Sequence, residues 1–442
     1  MKKSRVICGV ILLICGGTAG AVSLSSNAKS KRIAEILKQR NTGRPLSIYA
    51  PERAWLDANG DGMITVQDWL LAKANALFSR KTENVFMSPC SAKQLGRTVF
   101  HKDTGILWCA QSGSGIAFIA FGTECRITLE SDCSFVNGNS AARYAVYADN
   151  ELIDTDVLSV PNKEIVIPVL PAGTAIRLIK LSESMNSSLG IAAVHIIAPR
   201  KTYRACNGSL FIASPKRAHS IEFIGDSITC GYGVDGVCGK DTFRTKNENA
   251  EKAFAILAAN ALNADYSLVC YSGHGVLSGY TSDGQMNADD LLPKYYGQIG
   301  HSVFDLDDSE RKIADDSWDF SVQPDLIVIN LGTNDASYTG NDIRKQKAFA
   351  AEYAAFLKTV RNKNPAAQIL CTLGIMGQTL CDAVDEAVRR HSAETGDNRI
   401  RVMRFAEQIP DDGFGIDWHP SAITHQKAAN ALTVYIQEWL GW

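Results

Sequence analysis

The sequence predicts a multidomain protein in which a β-sandwich precedes an α/β domain with a doubly wound parallel sheet. The first observation is the length, because 442 residues exceed the usual size of one domain. The second is a series of short alternating strands, separated by Gly, Asn and Asp, between residues 85 and 205. The third is the change after residue 217 to apolar strands separated by helical stretches, which indicates a parallel sheet covered on both faces.

Composition and charge indicate a globular chain. Hydrophobic residues make up 45% and charged residues 21% of the sequence, which is typical of folded domains. The formal net charge is −2, without a long run of one sign. This argues against nucleic acid as a partner, because such partners favour a concentrated basic face.

The N-terminus has the pattern of a signal peptide over residues 1–24. Basic residues precede the apolar run 6–15, and Ala19-Gly20-Ala21 forms a small-residue cleavage site. An uncleaved anchor is the alternative, although the run is short and broken by glycine. We therefore expect the protein to be secreted or held at the cell surface.

Ten cysteines lie outside the signal peptide. An even number permits disulfides in an exported protein, but their spacing forms no framework, and buried free thiols are the alternative. Cys230 and Cys238 flank a glycine-rich loop and are the first pair to test.

A calcium-binding loop is predicted in the segment 48–82, which follows a polar linker at 25–47. Residues 57–68 fit a loop with oxygen ligands at positions one, three, five, nine and twelve, and Gly62 supplies the sharp turn. The predicted ligands are Asp57, Asn59, Asp61, Thr65 and Asp68. The alternative is a solvated turn. The loop resembles one dockerin repeat, but dockerins have two repeats, which argues against docking to a cohesin-type scaffold.

Two domains are predicted, a β-sandwich at residues 85–205 and an α/β domain at residues 217–442. Alternating hydrophobicity locates the strands of the first domain, and apolar runs locate those of the second. The sandwich strands include residues 116–119, 125–129, 144–147 and 165–167. The parallel strands are residues 221–224, 266–271, 326–331, 368–373 and 400–405, with a helix at 250–262. In such sheets the site lies at the carboxyl ends of the strands.

Polar segments with complementary chemistry follow these strands. Ser227, after the first strand, needs a base, and the imidazole of His419 has a suitable pKa. Asp417 could accept the second imidazole proton, and the side-chain amide of Asn334 could stabilise an oxyanion beside backbone N–H groups. Each segment alone is weak evidence, but the three in order at strand ends are specific.

The α/β domain resembles the SGNH (GDSL-type) hydrolases. Gly225-Asp226-Ser227 resembles the nucleophile block of that family, and Ser272-Gly273 resembles its glycine block. Two further segments, Gly332-Thr333-Asn334-Asp335 and Asp417-Trp418-His419-Pro420, resemble its asparagine and histidine blocks. The resemblance implies a flavodoxin-like sheet, catalysis without a cofactor, and an oxyanion hole formed by Ser227, Gly273 and Asn334.

Further residues are similar to those of carbohydrate esterase family two. These are the segments 225–233, 318–320, 323–325 and 417–421. That family pairs an N-terminal, jelly-roll-like sandwich with the esterase domain. The resemblance implies removal of acetyl groups from xylan or glucomannan.

One position departs from the wider SGNH pattern. The acid often stands three residues before the histidine, where this chain has Ile416, whereas Asp417 stands two before. In family two the acid commonly has this nearer position, and some members use a Ser–His dyad. A backbone carbonyl therefore remains the alternative to Asp417 as the group that orients His419.

Other side chains near the blocks have competing interpretations. Trp418, Tyr232 and His274 are predicted to contact substrate, although each could serve packing alone. His425 could compete as the base but is interpreted as a surface or capping histidine. Asp335 is assigned to a helix N-terminus rather than to catalysis.

The sequence therefore predicts an exported serine esterase acting on acetylated polysaccharides or oligosaccharides. One alternative is a carbohydrate-binding protein whose cleft grips glycan, and another is a lipase or thioesterase of the same fold. The eight histidines lack zinc-like spacing, which argues against a metal-dependent deacetylase.

Overall fold

In the computed structural model of the chain, residues 82–308 and 310–442 are described. Residues Asn84–Ile196 and Gly208–Trp442 form one compact unit. Ile197–Asn207 falls outside this unit and contains a short helix, α1 (Arg200–Ala205). The predicted signal peptide, linker and calcium ligands lie outside the described residues. Within the described part, no helix combines the length and apolar character needed to cross a membrane.

Two antiparallel sheets of six strands each form the N-terminal part. The first contains β1 (Thr82–Met87), β3 (Thr98–His101), β4 (Ile106–Cys109), β6 (Glu124–Ser131), β9 (Asn162–Pro168) and β11 (Leu189–Pro199). Its order is β3-β4-β11-β6-β9, with β1 as the sixth strand. The second contains β2 (Lys93–Leu95), β5 (Gly115–Ala120), β7 (Arg143–Ala148), β8 (Glu151–Val157), β10 (Thr174–Lys180) and β12 (Phe211–Ala213). Its order is β12-β5-β10-β7-β8, with β2 paired to β5.

The hydrophobic alternation of the sequence explains these strands. In β6, Cys125, Ile127 and Leu129 are buried, whereas the residues between them are half-exposed. A strand with a period of two presents one face to a core and the other to solvent. The predicted antiparallel strands are confirmed, while the jelly-roll topology stays a prediction.

The C-terminal part contains a five-stranded parallel sheet. Its strands are β13 (His219–Gly225), β14 (Ala264–Cys270), β15 (Leu326–Asn330), β16 (Gln368–Leu373) and β17 (Ile400–Arg404). Their spatial order is β14-β13-β15-β16-β17, the doubly wound order of flavodoxin-like sheets. The central strand β15 is buried along its whole length, as a continuous apolar run predicts. The predicted parallel sheet is confirmed.

Helices cover both faces of this sheet. In chain order they are α2 (Ser227–Cys230), α3 (Phe254–Ala261), α4 (Leu292–Tyr295), α5 (Thr333–Thr339), α6 (Ile343–Lys363), α7 (Cys381–Thr395) and α8 (Ala422–Leu440). Buried residues of α6 and α7 form one core with the sheet, and those of α3 and α8 form another. The predicted helix at 250–262 is instead a 3-10 turn, Ala250–Lys252, followed by α3.

The second antiparallel sheet shares a core with the α/β part. Ala145, Ile179 and Leu181 lie in the same buried cluster as Phe254 and Leu268. The predicted domain boundaries, 85–205 and 217–442, stay predictions because the two parts belong to a single compact unit.

Candidate active site

Three loops begin at the same level of the parallel sheet. Gly225, the last residue of β13, pairs in register with Cys270 of β14 and Asn330 of β15. The segments that follow these residues therefore leave the sheet side by side at its carboxyl edge. This is the position at which doubly wound sheets hold their ligands.

The nucleophile segment turns sharply into α2. A Cβ atom at position 225 would lie 2.0 Å from the hydroxyl oxygen of Thr229, so only glycine permits this approach. The Asp226 carboxylate accepts the N–H of Ile228 at 3.0 Å and thereby caps the helix. Ser227 occupies the first helical position and is 6% exposed.

Ser227 and His419 form a hydrogen-bonded pair. The Nε2 atom of His419 lies 2.8 Å from the Oγ atom of Ser227, and its Nδ1 atom lies 3.1 Å from the carbonyl oxygen of Ile416. A carbonyl only accepts, so Nδ1 carries the proton and Nε2 is the free base. Burial lowers the pKa of His419, while the Ile416 carbonyl and the Asp417 charge partly oppose this effect. The imidazole is therefore neutral and able to take the serine proton.

The Asp417 carboxylate contacts Tyr232 instead of the imidazole. It accepts the hydroxyl of Tyr232 at 2.9 Å, whereas the Ile416 carbonyl occupies Nδ1 of His419. The prediction assumed an extended segment, in which side chains two residues apart share a face. Asp417 and Trp418 instead have φ angles of 51° and 63°, which turn the carboxylate away. This corrects the expectation that Asp417 orients His419.

Asn334 joins the nucleophile loop to the loop after β14. Its amide nitrogen donates to the carbonyl of His274 at 2.9 Å and lies 3.4 Å from a carboxylate oxygen of Asp226. Gly273, the residue before His274, has a φ of +76°, with open space where a side chain would stand. The structure thus brings together the predicted oxyanion residues Ser227, Gly273 and Asn334.

Asp335 stabilises the loop that follows Gly273. Its buried carboxylate accepts the N–H groups of Val276, Leu277 and Ser278 at 3.0, 2.7 and 2.9 Å. Burial raises the pKa of Asp335 to about 6, and these three bonds oppose the rise. Asp335 therefore acts on the loop rather than on His419, and it does more than the assigned helix-terminal role.

Trp418 and Tyr232 flank His419. The Trp418 ring is 64% exposed and lies 5.2 Å from the ring of Phe414. The ring of Tyr232 stacks on Phe243 at 3.9 Å and lies 4.3 Å from the imidazole of His419. An exposed indole beside the Ser–His pair is suited to stacking on a sugar ring. The substrate contact of Trp418 stays a prediction, and its exposure is compatible with it.

The two other histidines that the sequence analysis discussed, His274 and His425, are buried. His274 is 1% exposed, and its Nδ1 lies 3.0 Å from the carbonyl oxygen of Ser272. The predicted contact of His274 with substrate stays a prediction, and the side chain lies beneath the surface. His425 is fully buried, and its Nδ1 accepts the N–H of Phe254 at 3.2 Å, so it is neither a surface histidine nor a competing base.

Sequence reasoning assigned no role to two buried carboxyl groups. Burial raises the pKa of Asp226 to about 7, and its place in the nucleophile block was the available signal. Glu183 accepts the N–H of Ser272 at 2.7 Å, a contact across 89 positions that no local pattern indicates. All ten described cysteines are free, including Cys230 and Cys238.

Comparison with known proteins gives a consistent set of relatives. Residues 223–427 match the GDSL-like Lipase/Acylhydrolase family. The chain is 31% identical over 355 residues to the cellulase/esterase CelE of Acetivibrio thermocellus, a match that covers 76% of this chain and 38% of that protein. It is 30% identical over 284 residues to an acetylxylan esterase / glucomannan deacetylase of Cellvibrio japonicus, covering 61% and 71% of the two chains.

A solved structure has the same fold. It is a family two carbohydrate esterase from Clostridium thermocellum in complex with cellohexaose, with a TM-score of 0.65 and 28% sequence identity. The similarity covers 79% of this chain and 99% of that one. Both the antiparallel and the parallel parts therefore have a counterpart in that protein.

Proposed function

Because this chain belongs to the GDSL-like lipase/acylhydrolase family, we propose that it is a serine esterase that removes O-acetyl groups from plant cell-wall polysaccharides such as xylan or glucomannan. The observation that carries the proposal is the 2.8 Å contact between His419 Nε2 and Ser227 Oγ at the carboxyl edge of the sheet. A serine paired with a neutral imidazole is an activated nucleophile. The relatives named for acetylxylan and glucomannan support the substrate class.

The reaction begins with attack of Ser227 Oγ on the acetyl carbonyl carbon, as Nε2 of His419 takes the serine proton. The Ile416 carbonyl keeps the other imidazole proton on Nδ1, so the ring faces the serine in the correct tautomer. Breakdown of the tetrahedral intermediate releases the sugar hydroxyl, which receives its proton from His419. Water, activated by the same imidazole, then hydrolyses the acetyl-enzyme to acetate.

The oxyanion of each tetrahedral intermediate needs donors that are already in place. The backbone N–H groups of Ser227 and Gly273 and the amide of Asn334 supply them. One hydrogen of the Asn334 amide holds the His274 carbonyl at 2.9 Å, and the other, which contacts Asp226 at 3.4 Å, would turn to the oxyanion. No step of this mechanism uses a cofactor.

The substrate contacts proposed outside the reacting atoms are those of Trp418, Tyr232 and His274. The exposed Trp418 ring would stack on a sugar face and hold the acetylated residue above Ser227. The signal-peptide pattern supports export to the polysaccharide, and the loop ligands Asp57, Asn59, Asp61, Thr65 and Asp68 support a calcium site apart from the reaction.

Acetate release tests the proposal. The purified protein should release acetate from acetylated xylan, glucomannan or cello-oligosaccharides, and a chelator should leave the rate unchanged. The variant Ser227→Ala should release no acetate, and its melting temperature should equal that of the wild type. Turnover by Ser227→Ala, or failure of the wild type on all three substrates, would refute the proposal.

A further inference from the structure

The loop that carries Gly273 is held by side chains from the N-terminal part of the chain. The Ser272 N–H donates to Oε2 of Glu183 at 2.7 Å. Gln111 donates its amide to the hydroxyl of Tyr271 at 2.6 Å and accepts the N–H of Cys270 at 3.4 Å. The three residues that precede Gly273 are thus each bonded to Glu183 or Gln111.

Glu183 is itself held firmly in the interior. It is 2% exposed, and its own N–H donates to Oε2 of Glu248 at 3.0 Å. The ammonium group of Lys180 donates to the carbonyls of Ser182 and Glu183 at 2.6 and 3.0 Å. A buried side chain with several fixed partners has little freedom to move, so the Ser272 N–H has an acceptor at a defined position.

Burial shifts the pKa values of three ionisable groups in this cluster. Burial raises the pKa of Glu183 and raises that of Glu248 well above its usual range, whereas it lowers the pKa of Lys180 to about 8. The Ser272 N–H nevertheless keeps a short bond to Oε2 of Glu183, and the buried partners of Glu183 fix the position of that oxygen.

Gly273 needs this external restraint. Its φ of +76° is open to glycine at little cost, and no atom lies within 4 Å of the position a Cβ would take. The direction of its N–H is consequently set by the peptide unit it shares with Ser272, whose carbonyl oxygen lies 3.0 Å from Nδ1 of His274. The bond to Glu183 fixes the preceding peptide unit, and therefore the backbone from which this one continues. A displacement of about 1 Å at a catalytic group can cost roughly 10² in rate.

We propose that Glu183 is a positioning residue, whose carboxylate holds Ser272 so that the Gly273 N–H points at the oxyanion. The N-terminal part of the chain would then complete the active site through a side chain that does not touch the substrate. This inference rests on the proposed esterase function, and it assigns a catalytic contribution to a residue outside the four SGNH blocks.

The test uses the full chain and p-nitrophenyl acetate. Glu183→Ala should lower kcat by about 10–10² with little change in KM, because a misplaced donor weakens only the transition state. Glu183→Gln keeps a side-chain carbonyl as acceptor and should restore kcat to within a few-fold of wild type. Methionine has nearly the same volume as glutamate but no oxygen acceptor, so Glu183→Met should lose as much kcat as Glu183→Ala. This variant replaces Glu183→Ala in the test if the alanine variant does not fold.

Glu222→Ala is the matched control. Glu222 is also a buried carboxylate, which accepts from Arg97 of the N-terminal part at 3.1 Å, but it lies three residues before the end of β13. Its loss should lower the melting temperature and leave kcat of the folded protein near wild type. Hydrogen exchange adds a direct readout, because the Ser272 amide should lose protection in Glu183→Ala and retain it in Glu183→Gln.

The outcomes separate this inference from the proposed function. If wild type is active and Ser227→Ala is inactive, an unchanged kcat in folded Glu183→Ala overturns the inference alone. Equal losses in Glu183→Gln and Glu183→Ala, or a change confined to KM, would also overturn it. Activity that persists in Ser227→Ala would instead refute the esterase mechanism itself.

Discussion

At His419 a main-chain carbonyl, rather than a carboxylate, holds the second imidazole proton. The carbonyl of Ile416 selects the tautomer as well as a carboxylate would, because both groups only accept. It carries no full negative charge, however, and so gives less stabilisation to the imidazolium that forms after proton transfer. The site is therefore a Ser–His dyad in its contacts.

This geometry makes Asp417 less important than a triad acid. Asp417→Asn retains an oxygen that can accept from the Tyr232 hydroxyl and leaves the Ile416 carbonyl in place. We expect a loss of less than about tenfold in kcat, against roughly 10⁴ when a true triad acid is replaced in this way. Steady-state kinetics on p-nitrophenyl acetate measure the loss, and a fall near 10⁴ would restore Asp417 as the orienting acid.

The pH dependence of the rate reports the protonation of His419. Burial lowers its pKa below the ordinary 6.5, and the base works only when it is deprotonated. The midpoint of the decline in rate at acidic pH should therefore lie below pH 6.5. A profile of kcat/KM against pH tests this, with Asp417→Asn expected to move the decline to still lower pH because a neighbouring negative charge is removed. A midpoint above pH 6.5 would contradict the assignment.

The residues of the site were predictable to different degrees. Ser227 and Asn334 lie two and four residues after the ends of apolar strands, so the local pattern sufficed to locate them. The partner of Asp417 was not predictable, because it depends on two consecutive non-glycine residues with positive φ. Glu183 was also beyond reach, since its contact with Ser272 depends on the packing of two distant parts of the chain.

At the scale of elements, α8 is anchored by a buried histidine in its first turns. Nδ1 of His425 accepts the N–H of Phe254, the first residue of α3, and thereby ties the two helices together. The local sequence pattern led to the interpretation of His425 as a surface or capping histidine. The pattern could not show that α3 packs there, because that contact joins residues 171 positions apart.

Protonation of His425 should weaken this anchor. Burial lowers its pKa to about 3, far below the value of about 6.5 in an unfolded chain. The unfolded state therefore binds a proton first, and the stabilisation present above pH 6.5 is lost as pH falls towards 3. The loss approaches about 1.4 kcal/mol per pH unit in that window.

His425→Asn isolates this contribution, because asparagine keeps an acceptor and does not titrate. Urea unfolding at pH 7 and pH 5 should show a smaller decrease in the free energy of unfolding for the variant than for wild type. His419→Asn, at a half-buried position, is the comparison for a second histidine. Identical pH slopes in wild type and His425→Asn would exclude His425 as the source.

At the scale of the whole chain, the predicted calcium loop should act separately from the esterase. Calcium at about 100 times its Kd should stabilise the segment that binds it by about 2.7 kcal/mol. Calorimetry on the full chain should detect binding that a double variant, Asp57→Ala with Asp61→Ala, abolishes. The acetate release rate should be the same with calcium and with chelator, and a calcium-dependent rate would contradict this separation.

The two parts of the described chain should not be separable without loss of the fold. Ala145, Ile179 and Leu181 of the N-terminal part lie in the core that also contains helix α3. Arg97 of the same part is fully buried and donates to the Tyr296 carbonyl at 2.6 Å and to Glu222 at 3.1 Å. A fragment of residues 217–442 would expose this apolar surface to water and lose every one of these bonds.

We therefore expect the fragment 217–442 to aggregate or to lack a cooperative melting transition, since buried apolar area supplies most of the stability of a domain. The fragment 82–442 retains both parts and should melt cooperatively with the kcat of the full chain. Size-exclusion chromatography, thermal melting and acetate release on the two fragments measure the difference. A monomeric, fully active 217–442 would show that the antiparallel sheets are dispensable and would also remove the structural basis for a positioning role of Glu183, which this fragment lacks.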